Sequence, residues 1–406
     1  MKKILYQKMQ CSLSPGIFIM FKKLRSVAFI LILSLSFIQA AQAVNFVQIT
    51  VDEMGTPFFL DDEGHVWGYK FLDLIKLPNL EHIKQIAPYI AVDDEGHVFT
   101  WAINDKEAKW LDEETLVFGY TPPKRVGELK GVTIVAHSWN HYFAVIDNQE
   151  IVRWSIVHKK RGIGVENYGP IKKVISHPGI KAIAAAPGTT KRIVSEPAPF
   201  GLVALFDDGT VMGWGISATG QVVKEANTPS VLLTKSPGAT GIAMNTFHTV
   251  VLTAQGVPLF WGSCDLEGRG IGINQTLGQQ NWTWGSVRAV AGYVNDVKVM
   301  ALAQDFNEWG IGGWGDDNHN YDVFIKRDGT VWLAYAPVPE SAQDYQCGQD
   351  RSQNDYRKAV QVPAGKAAAI QVAKGKGSIY MLDEEHKLWE TDSNNVAGQF
   401  KMIEIK

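Results

Sequence analysis

Seven times along the chain, a run of apolar residues is followed by a short turn, a β-branched or leucine residue, and then an aromatic. The clearest copy runs Gly201-Leu-Val-Ala-Leu-Phe206, then Asp207-Asp208-Gly209, then Thr210-Val211-Met-Gly-Trp214-Gly215. Equivalent turns fall at positions 64, 96, 149, 256, 329 and 386. Asp-Gly pairs supply the positive φ of a tight hairpin, and the residues flanking them favour extended backbone. The apolar runs are continuous rather than alternating, which predicts strands covered on both faces. Seven copies over residues 44–406 leave about 52 residues each, enough for four strands of about five residues with their connections. Four-stranded sheets repeated around an axis are propeller blades. The pattern therefore predicts an all-β chain forming a single β-propeller of about seven four-stranded blades. The short strands at Val44–Ile49 and Phe400–Ile405 are expected to meet in one blade and close the ring.

Ahead of this array, residues 20–43 read as a secretory signal. Lys22, Lys23 and Arg25 form a basic start, Val27 to Ile38 an apolar stretch, and Ala41-Gln42-Ala43 a small-residue cleavage site. The apolar stretch is too short to span a bilayer, which takes about 20 residues. The expected division is thus 1–43 as extension and signal, with Met20 as the initiator and cleavage after Ala43, and 44–406 as the propeller. Export to the periplasm or beyond follows, with no membrane attachment after cleavage.

Composition narrows the classes of function. At 46% apolar and 20% charged residues, the chain can bury a large core and is not a disordered polymer. Residues 1–43 hold six of the 39 basic residues and no acid, so residues 44–406 carry 33 bases against 42 acids, a net charge of −9. A surface of that sign repels phosphate backbones, so nucleic acid is not an expected partner. Cys264 and Cys347 form an even pair in an oxidising compartment, bonded or separate, and two thiols exclude a cysteine-based zinc site.

The run His248-Thr-Val-Val-Leu-Thr-Ala-Gln-Gly256 with Phe260-Trp261-Gly262 resembles the repeat of the regulator of chromosome condensation family. Trp214-Gly215-Ile-Ser-Ala-Thr-Gly220-Gln221 is similar to that family's tryptophan-glycine, glycine-glutamine segment. Val287–Gly292 and Ile180–Ala186 fit its strand before the hairpin. The resemblance extends along most of residues 44–406 and is strongest in the fourth and fifth copies. It implies a propeller, with His141 and His248 as scaffold histidines ahead of the hairpin. The nuclear exchange role of the family's namesake does not carry to an exported acidic chain.

The chain carries no G-x-S-x-G, S-x-x-K, H-E-x-x-H, P-loop or C-x-x-C motif. No catalytic residue and no cofactor is assigned. His65 and His97 each follow a turn glycine and read as scaffold or rim. Asp62-Glu-Gly64-His-Val-Trp67 and its copy at Asp94 partly match the Asp-box of sialidase propellers, but Leu60 and Val92 stand where the box carries Ser or Thr. Asp316, Asn318, Asn320 and Asp322 place oxygens at alternate positions, a weak calcium candidate without the glycine and glutamate of an EF-hand loop.

Of thirteen tryptophans, seven fall in the hairpins. Trp282, Trp284, Trp309 and Trp314, with Tyr321, crowd instead into two polar insertions, Asn274–Ser286 and Asp305–Tyr321. Aromatics in loops are common anchors at protein interfaces. The reading is a monomeric, non-catalytic propeller that binds a protein partner through aromatic loops on one face. A carbohydrate-binding propeller, with the same tryptophans stacking on sugars, is the alternative; a glycoside hydrolase with an unrecognised acid pair ranks below both.

Overall fold

Each of the seven hairpins turns through the left-handed region, at Gly64, Gly96, Asn148, Gly209, Gly256, Gly329 and His386. Six coincide with the turn positions expected from sequence; the third sits one residue earlier, where Asp147 and Asn148 both take positive φ. The chain is described by a computed structural model over residues 44–403, apart from 53–55, 71–72, 111–115, 139–140, 159–164, 188–199, 216–229, 234–237, 245–247, 263–287, 290–294, 303–319, 337–359, 363, 373–378 and 392–399. Among the described residues every regular element is a strand, and no helix is long and apolar enough to cross a membrane.

These strands form seven sheets of four or five antiparallel strands and one two-stranded ribbon. Within each sheet the chain runs from the inner strand outwards. The inner strands are Phe46–Val51, Ile83–Ala87, Val132–Ser138, Ile180–Pro187, Ala239–Met244, Val297–Leu302 and Ala367–Val372. Each touches the inner strand of the next sheet, and the last touches the first, so the sheets are blades of a closed propeller ring. The second strands are sandwiched between neighbouring blades. Pro57–Asp61 is buried throughout, and Phe200–Phe206 at all but its first residue, as their unbroken apolar runs predict.

Backbone hydrogen bonds stitch blade to blade. At six seams the carbonyl of the left-handed turn residue accepts from the first buried amide of the next inner strand. Ile83 N–H donates to Gly64 O at 3.0 Å, Val132 N–H to Gly96 O at 3.1 Å, and Ala367 N–H to Gly329 O at 2.8 Å. The ring-closing seam is one of the six, with Phe46 N–H donating to His386 O at 3.2 Å. At the residue that follows this position every inner strand, the Ala239–Met244 strand without the stitch included, slips register by one residue. Such bulges strengthen local twist, and here one recurs in every blade. Inner edges also need partners for their backbone groups. Gln48 supplies both at one seam, its side chain donating to Ile86 O and accepting from Ile86 N–H at 2.8 and 3.0 Å.

The closure differs from expectation in one respect. Phe46–Val51 is the inner strand of blade 1, whereas Lys401–Met402 is the outer strand of blade 7. Among the described residues, the first and last strands share no sheet. The seam is held instead by the His386–Phe46 bonds and by ring contact between Phe59 and Tyr380 at 5.8 Å.

Candidate functional site

Antiparallel order puts the turns between second and third strands at one end of the ring, together with the crossings into the next blade. Those turns are three or four residues long in all seven blades, and no crossing exceeds the seven residues of 290–296. Connections between first and second and between third and fourth strands leave from the opposite end. They include residues 188–199, 216–229, 263–287, 303–319 and 337–359. Two ribbons also continue from this end. Ile103–Trp110 pairs with Leu116–Tyr120, and the long third strand of blade 3, Glu150–His158, pairs beyond the blade with Val165–Tyr168. Long connections on one end of a rigid scaffold are where binding surfaces are usually built. We call this the loop end.

Under the loop end, blades 1 to 3 share a continuous aromatic layer. Phe58 meets Tyr89, Trp101 and Tyr120 at 5.1 to 5.4 Å, Tyr89 meets His137 at 5.7 Å, and His137 meets Tyr142 at 5.0 Å. Tyr142 carries the layer on to Trp154 and to Tyr168, which is exposed. In the neighbouring seam Arg153 lies 4.6 Å above the ring of Phe200, and burial lowers the pKa of its guanidinium.

A buried acid anchors this layer. The Tyr89 hydroxyl donates to Asp52 Oδ2 at 2.5 Å, and Thr56 N–H donates to Asp52 Oδ1 at 2.6 Å, tying blade 1 to blade 2. Tyr89 is buried with a positive φ, and desolvation, then the Asp52 charge, push its pKa well above the ordinary value. Tyr120 is raised for the same two reasons. Both hydroxyls stay protonated at neutral pH. The Tyr89–Asp52 pair is thus an inter-blade clamp, since a nucleophilic tyrosine needs an accessible, readily ionised oxygen. Nothing local marks the pair in sequence, because its members lie 37 residues apart.

Six of the seven hairpin tryptophans, all but Trp261, fall into two groups. Trp67, Trp332 and Trp389 each stand three residues after the left-handed turn residue, with their indole N–H bonded to that turn. They donate to Asp61, Thr330 and Asp383 at 2.8, 2.9 and 2.8 Å. Trp101, Trp154 and Trp214 stand further along the strand, toward the loop end. Their buried indole N–H groups have no acceptor among the described residues.

Asp61 organises the hairpin turn of blade 1. It accepts from Glu63 N–H, His65 N–H, His65 Nδ1 and Trp67 Nε1 at 2.7 to 3.1 Å. Asp93 repeats the His97 contacts, so His65 and His97 are scaffold, as expected. The residue that organises the turn is Asp61, not the neighbouring Asp62 of the partial Asp-box. Asp61→Asn replaces an accepting oxygen with a donor facing donors. It is expected to cost about 1.5–3 kcal/mol in denaturant unfolding, whereas Asp62→Asn at the surface is expected to change stability by under about 0.5 kcal/mol.

Trp282, Trp284, Trp309, Trp314, Asp316 and Asn318 lie outside the described residues, as do Cys264 and Cys347. The backbone of Asn320, Tyr321 and Asp322 belongs to the strand Asn320–Lys326, which pairs with Val331–Ala336. Among the described residues, no three His, Cys, Asp or Glu side chains are grouped to hold a metal ion.

Fold and site organisation together define a β-propeller with one loop-rich end. No family model and no curated protein matches the chain. Among solved structures it is similar to yeast RCC1 (Prp20) bound to Kap60, with 20% identity over 56% of this chain and 58% of that one and a TM-score of 0.39. It is also similar to human WBSCR16, with 12% identity over 81% and 84% of the two chains and a TM-score of 0.49. A third similar structure is Prp20p of Saccharomyces cerevisiae, described with its binding to Gsp1p and histones, at 18% identity over 55% and 60% and a TM-score of 0.37. The chain thus spans less than two thirds of the two yeast chains.

Proposed function

We propose that this protein is an exported, non-catalytic β-propeller that binds another protein through the aromatic loops of its loop end. The observation that carries the reading is the asymmetry of the ring: every long connection leaves from one end, and the other end is tight turns. The segments holding Trp282, Trp284, Trp309 and Trp314 begin and finish on strands that terminate at the loop end. The signal-like segment ahead of residue 44 supports export.

Two measurements test this. Mass spectrometry of protein from the cell exterior or periplasm is expected to show an N-terminus at Val44; a retained Met1 or Met20 would count against export. For binding, affinity capture with wild type is compared with a variant carrying Trp282, Trp284, Trp309 and Trp314→Ala. The expected result is a protein retained by wild type and lost at least tenfold by a variant with an unchanged melting temperature. Capture indifferent to the four tryptophans would overturn the reading. Selective retention of glycans in their place would favour the carbohydrate alternative.

A further inference from the structure

The turn end of the ring carries a groove that the loop-end reading does not use. It opens at the seam between blades 6 and 7 and has a volume of about 530 Å³, within the usual range of about 300–1,000 Å³ for ligand sites. Met381, Trp389 and Phe400 supply its apolar lining, and Asp383, Glu384 and Glu385 of the blade 7 turn edge it. Among the described residues of the lining, Lys366 is the one basic residue.

Comparison with the equivalent hairpins shows what this groove lacks. Trp67, Trp332 and Trp389 hold the same turn-bonded position in blades 1, 6 and 7. In blade 1, Phe46 packs edge-on against Trp67, with ring centres 6.1 Å apart. In blade 6, Lys326 lies over the Trp332 ring, its ammonium 4.1 Å from the ring centre. Lys326 precedes its left-handed turn residue by three positions, and the residue at that position in blade 7 is Asp383. The position that carries the ring-covering Lys326 in blade 6 is an acid in blades 1 and 7, and in blade 7, where the only groove cation among the described residues is Lys366 of the crossing from blade 6, Trp389 lines an open groove.

The surrounding charges are not equally available. Asp383 Oδ1 accepts from Glu385 and Lys387 N–H, and its Oδ2 accepts from Trp389. Glu385 pairs with Lys387 at 2.5 Å. Glu384, exposed, has no hydrogen bond or ion pair among the described residues. A partly exposed indole, an apolar lining and one uncommitted carboxylate together match a single cationic side chain with an apolar stem.

We propose that this groove is a second interaction site, which takes an arginine or lysine side chain from an extended segment of a partner protein, over Trp389 and against Glu384. It lies at the opposite end from the loop site and stands or falls independently of it.

The test is nuclear magnetic resonance of the indole N–H groups in the purified full-length protein, with the Trp389 signal identified by its loss in Trp389→Phe. The probe is a capped Ala-Leu-Arg-Leu-Ala peptide, with its citrulline analogue as the uncharged control. The expected result is a saturable shift of the Trp389 signal, at least tenfold weaker for the citrulline peptide and at least tenfold weaker in Glu384→Lys. No saturable shift with the arginine peptide, or a shift that survives both changes, would overturn the proposal. Equal affinity for free tetramethylammonium would overturn its assignment to a protein segment.

Discussion

Gly96→Ala is expected to destabilise the protein by about 3–6 kcal/mol, read as a lower denaturant midpoint. Gly96 has φ +81, where an L side chain is strained by about 1–2 kcal/mol. A Cβ there would lie 2.8 Å from Val132 N and 3.0 Å from Gly131 Cα, both backbone atoms of the next blade. Relieving that overlap means parting the seam, at about 1–3 kcal/mol for overpacking, and weakening the Val132 N–H to Gly96 O bond, worth about 1 kcal/mol. An ordinary hairpin glycine would carry the first cost alone. A loss near 1 kcal/mol would therefore show that the turn does not hold the neighbouring blade.

Alkali should unfold the ring steeply. Desolvation raises the pKa of Tyr69, Tyr89 and Tyr120 above the ordinary tyrosine value of about 10, with the charge of Glu390 adding at Tyr69 and that of Asp52 at the other two. A group whose folded pKa is raised contributes stability that is complete below its unfolded pKa and is lost as pH climbs through the folded one. Above about pH 10 the unfolded chain gives up protons that the folded chain keeps, so stability falls by about 1.4 kcal/mol per pH unit for each tyrosine, roughly 4 kcal/mol per unit for three. Tyrosinate absorbance is expected to rise together with loss of sheet structure. Tyr120→Phe should remove about a third of the slope. Tyrosinate absorbance that rose well before the circular dichroism changed would show these hydroxyls to be accessible in the folded ring.

Much of the architecture was legible because hairpin chemistry is local. A continuous apolar run, a left-handed turn residue and a β-branched strand start are read within about ten residues. Non-glycine turns were harder: Asn148 and His386 occupy positions where five blades carry glycine, and the third turn was displaced by one residue. The hairpin tryptophans looked equivalent along the chain. Their separation into turn-bonded and acceptor-free sets depends on where each ring falls in the strand register.

By itself, the sequence determined the class of fold, the hairpin positions, the buried second strands and the acidic balance of residues 44–406, since each follows from residue type and short-range order. Only the tertiary structure decided which blades meet, that the ring closes through His386 and Phe46 instead of a shared sheet, and that Asp52 finds Tyr89. It also gathered the long connections at one end and left Trp389 beside an open groove at the other. Those features arise from contacts between residues tens to hundreds of positions apart, brought together by the closing of the ring, and no local pattern encodes them.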